Sequence, residues 1–272
     1  PPDGCALMAA AATSALPVRE GPARPVRLLR GRVVVILVLL AVWEIGARFF
    51  VSPHFASPPS EMLLALPSML ATKGVPAALA LSFGELVAAF AVSVAIGLPL
   101  GLLIGLSGAS RRTLLPIVFL LYAIPQITVL PLIIMLSGIG PAAKIVFGVT
   151  HAVFPIIFTL AASVGEVDRT LVKFARITGA SSWQVFRYVT FPYAVPSFFN
   201  GMRLAMVGAI LGVLLAELYV SSAGIGFYTR LFADSFQTPK LFALVFVLAA
   251  MAVVLNEIMR RAEIRFSRWR NG

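Results

Sequence analysis

Long apolar runs recur along this chain and limit the folds that are open to it. An α-helix needs roughly 20 apolar residues to cross a bilayer, and six runs are close to that length or longer. Of the 272 residues, 60% are hydrophobic and 12% are charged, which is more apolar than an ordinary soluble domain. We therefore predict an all-α membrane protein with six transmembrane helices. The predicted spans cover residues 33–50, 80–106, 114–136, 142–164, 194–220 and 241–259.

Lys and Arg are distributed unevenly between the loops, and this asymmetry predicts the orientation of the chain. The positive-inside rule places loops rich in these residues in the cytoplasm. With the N-terminus inside, most of them fall in cytoplasmic segments, and those that lie elsewhere are Arg48, Lys73, Lys144, Arg203, Arg230 and Lys240. Both termini are therefore expected in the cytoplasm of a multi-pass protein. Because the basic residues are spaced between spans rather than gathered on one element, a nucleic-acid partner is not expected.

The N-terminal region differs in composition from the rest of the chain. Residues 1–30 are rich in Ala, Pro and Arg without sustained periodicity, which predicts a disordered cytoplasmic tail before a transmembrane domain over 31–272. No small-residue cleavage site follows the first apolar run, so a retained span is expected rather than a signal peptide. The lone Cys5 excludes an internal disulfide framework and a cysteine metal cluster.

A polar, basic stretch over about 165–192 interrupts the apolar pattern. Gly179 can adopt the left-handed conformation that ends a helix without steric cost, so a short helix should stop there. Ser181 stands at the first position of a capping box, which predicts the start of a second short helix. Pro192 should end that helix, because proline pushes Phe191 out of helical conformation. The stretch is predicted to form a compact helix-turn-helix at the bilayer surface.

This stretch resembles the cytoplasmic signature of binding-protein-dependent ABC importer permeases, which reads Glu-Ala-Ala, three residues, Gly, nine residues and Ile-x-Leu-Pro. Lys173, Phe174 and Ala175 occupy the first three positions, Gly179 the Gly, and residues 189–192 the end. The spacing is unchanged, although Lys173 replaces the Glu and Phe174 the first Ala. The resemblance implies a type I ABC importer permease fold with a cytoplasmic coupling helix, which docks in a groove of a separate ATPase subunit.

The residues expected to contact that ATPase surround the turn. Ala175 and Gly179 are four residues apart and share a helix face that a partner can approach closely, while neighbouring side chains add charge and apolar contact. The predicted coupling residues are Lys173, Phe174, Ala175, Arg176, Gly179, Ala180, Ser181 and Pro192.

Three prolines in the third apolar run indicate a candidate wall for a transport pathway. Proline inside a membrane helix bends the axis and frees a carbonyl, which is tolerated where neighbours or water can satisfy it. A kinked packing helix without a lining role is the alternative. By contrast, Gly97, Gly101 and Gly105 in the second run form a small-residue face that favours helix packing. The candidate pathway residues are Tyr122, Pro125, Gln126, Arg203, Glu217 and Ser221.

Ionisable residues at membrane depth are costly and usually face protein or water. The candidates are Glu44, Glu85, His151, Arg203 and Glu217. Arg203 and Glu217 are fourteen residues apart, about 21 Å along one helix, so they cannot pair within it. Each is expected either to neutralise a group on another helix or a second protomer, or to contact the solute.

The stretch from Glu217 through Ser221, Ser222, Gly224 and Gly226 is similar to one found in permeases of the nitrate, sulfonate and taurine branch. This resemblance implies import of a small anionic solute across a bacterial inner membrane, although the branch also carries neutral heterocycles. It further implies an extracytoplasmic solute-binding protein and two permease copies around a central pathway, within membrane lipid.

Catalytic signatures are absent from the sequence. It has no Gly-x-x-x-x-Gly-Lys-Ser/Thr phosphate loop, so the chain is not expected to be an enzyme, and ATP and Mg are expected on the partner ATPase. Two alternatives stay open: an ion-coupled secondary carrier, and an intramembrane hydrolase that would combine His151 with Ser93 or Ser163.

Overall fold

The computed structural model describes residues 25–267, and all regular structure in this range is helical. The predicted tail falls mostly outside the described residues, as does Cys5, and the first helix begins at Pro25. The helices are α1 (Pro25–Phe49), α2 (Pro59–Leu70), α3 (Val75–Leu106), α4 (Gly108–Ala123), α5 (Leu130–Ser137), α6 (Pro141–Gly165), α7 (Arg169–Ile177), α8 (Ser182–Val220), α9 (Ile225–Asp234) and α10 (Thr238–Ser267).

Within the described part, four helices are long and apolar enough to cross a membrane. They are α3, α6, α8 and α10, and a bent pair formed by α4 and the helical turns after it raises the number to five. The predicted all-α membrane architecture is confirmed at this level, and the sixth span stays a prediction.

The third apolar run is not one straight span, as the expected helix over 114–136 would require. Gly108–Ala123 and Gln126–Ser137 meet at an angle of 81°. Ile124, which precedes Pro125, has an extended backbone with ψ 128°, because the proline ring disfavours helical geometry in the preceding residue. The break therefore lies at the second of the three prolines, whereas Pro116 is accommodated inside α4.

Helix α6 occupies the centre of the fold, where α3 and α8 pack along it. The glycine face of α3 makes this approach close: a Cβ on Gly101 would lie 2.8 Å from Leu160 Cβ, and one on Gly105 would lie 2.8 Å from Val164 Cβ. Backbones can come this near only where side chains are missing. The packing interpretation of the glycine spacing is confirmed.

The apolar side chains of helix α1 over 33–42 are exposed. Near its end, the Glu44 carboxylate accepts hydrogen bonds from the Ser60 hydroxyl (2.7 Å) and the Ser60 backbone N–H (3.1 Å), and Arg48 Nη2 donates to Ser60 Oγ at 3.0 Å. Arg48 pairs with the same carboxylate at 2.6 Å. The Glu44 carboxylate thus lies at the N-terminus of α2, where a negative charge stabilises the helix.

Candidate functional site

The coupling segment, defined as residues 166–192, connects α6 to α8 through the short helix α7. Asp168 caps α7 by accepting a hydrogen bond from the Thr170 backbone N–H at 2.7 Å. This hydrogen bond favours the ionised carboxylate and lowers the pKa of Asp168 below its ordinary value. The first turn of α7 is therefore stabilised by a negative charge at its N-terminus.

The turn after α7 is closed by Gly179 in the left-handed conformation, with φ +88°. The N–H of Ala180 donates to the Ala175 carbonyl and the N–H of Gly179 donates to the Arg176 carbonyl, both at 3.0 Å. These two bonds form a Schellman motif, which satisfies the last carbonyls of a helix. The helix end that was predicted at Gly179 is confirmed.

A reciprocal capping box starts α8, as the sequence predicts. The Ser181 side chain accepts from the Gln184 backbone N–H at 3.3 Å, and the Ser181 N–H donates to Gln184 Oε1 at 2.7 Å. Two otherwise unpaired N–H groups are satisfied in this way.

The prediction that Pro192 ends this helix is wrong, because α8 continues from Ser182 to Val220. Phe191 is helical, with φ −62° and ψ −49°, and its N–H donates to the Phe186 carbonyl in a π-helical turn over Phe186–Thr190. The wider turn relieves the clash that a proline ring makes with the carbonyl four residues earlier. The compact helix-turn-helix is therefore one short helix followed by the start of a long span.

Large apolar side chains of the coupling segment are exposed. The exposed fractions are 67% for Phe174, 84% for Ile177, 68% for Trp183 and 75% for Tyr188. Exposed apolar groups gathered on one segment indicate a protein-binding or membrane surface. Of the predicted coupling residues, those exposed are Lys173, Phe174, Arg176, Gly179 and Ser181, and those half-buried are Ala175, Ala180 and Pro192.

A cleft of about 730 Å³ lies beside the break after α4. Tyr122, Pro125 and Gln126 line it together with His151 and Thr159 of α6, and its remaining walls are mostly apolar. The structure thus brings three of the six candidate pathway residues together.

The other three candidates lie outside this cleft. Arg203 joins α8 to α10, because its Nη1 lies 3.5 Å from Glu263 Oε2 and its Nε donates to Asn256 Oδ1 at 3.2 Å. Ser221 lines a smaller cavity of about 180 Å³ near the start of α6, and Glu217 is fully buried.

Glu217 belongs to a group of buried charges from three helices. The Lys144 ammonium of α6 lies 2.6 Å from Glu85 Oε1 of α3 and 3.7 Å from Glu217 Oε1 of α8. At 2.6 Å the contact with Glu85 is a close ion pair. We call Ser82, Glu85, Lys144 and Glu217 the ion cluster.

The ion cluster also holds the 221–226 turn between α8 and α9. Ser82 Oγ donates to Glu217 Oε1 at 2.5 Å and accepts from the Ile225 N–H at 2.8 Å. Glu217 Oε2 accepts from the Gly226 N–H at 2.9 Å. Its carboxylate therefore lies at the N-terminus of α9, where N–H groups are otherwise unpaired.

Sequence reasoning missed the role of Lys144 and Ser82 in this cluster. From the sequence alone, Lys144 is only one of the charges outside the predicted cytoplasmic loops. Its position three residues into an apolar span was the available signal, because a lysine there needs a buried anion. No comparable signal in the sequence points to Ser82.

A family model described as binding-protein-dependent transport system inner membrane component matches residues 97–268. Among curated relatives, the riboflavin transport system permease protein RibX of Chloroflexus aurantiacus is 30% identical over 58% of this chain and 59% of that protein. The taurine transport system permease protein TauC of Escherichia coli is 29% identical over 85% of this chain and 86% of that protein.

A solved structure of the MetNI methionine ABC transporter, in an inward-facing conformation, has a similar fold. Its TM-score is 0.57 with 23% sequence identity, and the match covers 73% of this chain and 95% of that chain. At this identity the likeness concerns the fold alone.

Proposed function

Because the chain belongs to the family of binding-protein-dependent transport system inner membrane components, we propose that it is the membrane subunit of an ATP-driven importer. The observation that carries the proposal is the coupling segment, where a capped helix, a Schellman turn and a capping box leave several large apolar side chains exposed. A surface of this kind is suited to a protein partner.

The partner that fits this segment is a cytoplasmic ATPase subunit. The sequence has no phosphate-binding loop, so ATP and Mg would be bound by that subunit. Phe174 and Ile177 offer apolar anchors, and Lys173 and Arg176 add positive charge around them. In this arrangement closure of two ATPases on ATP binding displaces the coupling segment of each permease and shifts the pathway between inward-open and outward-open states.

A second copy of the chain would complete the pathway. The cleft at the α4 break is not enclosed, and Tyr122, Pro125, Gln126 and His151 are among the residues that line it. Two such clefts facing each other would enclose a conduit between protomers. The orientation with both termini in the bacterial cytoplasm and six spans belongs to this proposal, as does a solute-binding protein on the outer face.

For the solute we propose a small organic anion such as a sulfonate. The taurine permease relative and the Glu217 to Gly226 stretch support this class. A riboflavin permease of comparable identity shows that relatives of this chain also serve a larger heterocycle. Since the described cleft is mostly apolar, the external binding protein is expected to do most of the selecting.

The test is reconstitution of the permease with its ATPase in liposomes, with and without the binding protein. Taurine, longer alkanesulfonates, nitrate and riboflavin are the solutes to compare. We expect uptake that requires both ATP and the binding protein. Uptake of riboflavin but no sulfonate would contradict the anion assignment while preserving the importer.

A substitution in the turn tests the coupling role directly. Gly179→Leu places a side chain where φ is +88° in open space, costing roughly 1–2 kcal/mol of backbone strain and obstructing the docking face. Uptake and solute-stimulated ATP hydrolysis should fall roughly tenfold or more. Gly179→Ala is the matched control, because it adds a Cβ at the same positive φ without the bulk of Leu. Equal loss in both variants would contradict docking at Gly179.

The ion-coupled carrier is the second candidate, and the buried acid–base contacts between Glu85, Lys144 and Glu217 are the observation that favours it. Ion-coupled carriers use such groups at membrane depth. Full-rate solute uptake driven by an ion gradient, without ATP or binding protein, would select this candidate.

A further inference from the structure

The ion cluster and the coupling segment lie at opposite ends of the same two helices. Lys144 is near the start of α6 and Glu217 is near the end of α8, whereas the coupling segment joins the end of α6 to the start of α8. From Lys144 to the end of α6 the separation is about 31 Å along the helix. Any displacement of the coupling segment that moves α6 and α8 together therefore also moves the ion cluster.

Side chains of the ion cluster, from three helices, bond to three residues of the 221–226 turn. Ser82 of α3 accepts from the Ile225 N–H, and Glu217 of α8 accepts from the Gly226 N–H. Lys144 of α6 donates to the Ala223 carbonyl at 3.5 Å. These are directional contacts, so they fix the turn in one position rather than allowing it to slide.

Close packing reinforces this grip. A Cβ on Gly226 would lie 2.5 Å from Glu217 Cβ and 2.7 Å from the Leu218 nitrogen, and Gly224 has φ +103°. On the next turn of α9, Arg230 Nη1 donates to the Leu218 carbonyl at 3.0 Å. The turn and α9 are thereby fastened to the end of α8 at two points.

Burying two carboxylates and an ammonium costs desolvation free energy, which packing of helices does not by itself require. An apolar contact of similar volume is often as stable, whereas a buried polar network can specify one arrangement. Glu85, Lys144 and Glu217 are almost completely buried, so their contacts are little exposed to competition from water. The ion cluster is therefore suited to keeping α3, α6, α8 and the 221–226 turn in one arrangement while the helices move.

We propose that Ser82 and Glu217, supported by Lys144, are positioning residues for transport. They clamp the 221–226 turn and α9 to α3, α6 and α8, so that a displacement of the coupling segment reaches α9 at the far end of the helices. This inference rests on the proposed function, because it assumes that the coupling segment is driven by an ATPase.

Two buried serines of α3 provide a matched pair of variants. Ser82→Ala removes the hydroxyl that joins Glu217 to Ile225, whereas Ser93→Ala removes one that bonds only to the Ala89 carbonyl of its own helix. In reconstituted complexes we expect Ser82→Ala to lower solute uptake per ATP hydrolysed roughly tenfold. Ser93→Ala should match the wild type, and both should retain ATP hydrolysis.

A glycine pair provides an independent test of the same clamp. Gly226→Ala forces the turn away from Glu217, whereas Gly140→Ala meets no atom within 4 Å. Only Gly226→Ala should lower uptake per ATP. Wild-type ratios in both Ser82→Ala and Gly226→Ala would overturn the clamp, and a wild-type complex without ATP-dependent uptake would instead contradict the proposed function.

A distance measurement tests the clamp even if Ser82→Ala or Gly226→Ala fails to assemble with the ATPase. Spin labels are attached to Ala162→Cys near the end of α6 and Ser222→Cys in the turn, both exposed, after Cys5→Ser. In the complex with its ATPase, the clamp predicts the same distance between the labels in nucleotide-free and ATP-trapped states. A distance that changes between these states shows that the turn moves independently of α6 and overturns the inference.

Discussion

Single residues determine how charges are tolerated inside this protein. Lys144 lies between the carboxylates of Glu85 and Glu217. The Glu217 carboxylate also accepts a hydrogen bond from the backbone of the 221–226 turn. Removing one partner of a buried ion pair leaves an uncompensated charge, whereas replacing both with apolar groups is often tolerated. The pairing of Glu217 with another helix, one of the two alternatives that the sequence left open, follows from this arrangement.

We predict that Lys144→Met destabilises the permease by about 3–5 kcal/mol, because Glu85 loses its counter-ion. The double variant Lys144→Met with Glu85→Leu should recover part of the loss, because Glu85 is no longer left unpaired, while Glu217 keeps its hydrogen bonds to Ser82 and the Gly226 N–H. Thermal unfolding of the purified protein, followed by size-exclusion chromatography, compares the two. A double variant no more stable than the single one would show that the ion pair is not what Lys144 contributes.

At the scale of helices, the sequence predicted some boundaries and missed others for identifiable reasons. The helix end at Gly179 and start at Ser181 depend on local hydrogen bonds, which the sequence encodes within a few residues. The passage of α8 through Pro192 depends on a π-helical turn, which has no local sequence signal. The meeting of Glu85 and Lys144 depends on how α3 packs on α6, and spacing along the chain does not show that.

The contact between α3 and α6 can be tested with two glycines on the same helix. Gly101→Leu should destabilise the fold by about 1–3 kcal/mol, since its Cβ alone would lie 2.8 Å from Leu160 Cβ. Gly84→Leu is the control, because Gly84 is exposed and has no neighbour within 4 Å. Comparable melting temperatures for the two variants would contradict close packing at Gly101.

For the whole molecule, the apolar runs predicted the membrane class, and the long helices of the described part agree with it. The positions of Lys and Arg predict which ends of these helices face the cytoplasm, a prediction that depends on a membrane and therefore needs its own measurement.

Single cysteines at exposed positions test this orientation after Cys5 is replaced. The substitutions are Lys73→Cys, just before α3, and Ser182→Cys, at the start of α8. Both positions are exposed. A membrane-impermeant thiol reagent should label Lys73→Cys from outside intact cells, whereas Ser182→Cys should react only in inverted vesicles. Labelling of both from one side would contradict the predicted topology.

Because α8 continues through Pro192, it is longer than a single membrane span requires. Its 39 residues extend for about 58 Å, nearly twice the roughly 30 Å of a bilayer's hydrocarbon core. Even a tilt of about 40° leaves about 14 Å of this helix outside the hydrocarbon core. Trp183 and Tyr188, in its first two turns, would then lie outside the hydrocarbon core, where an ATPase can reach them without entering the acyl chains.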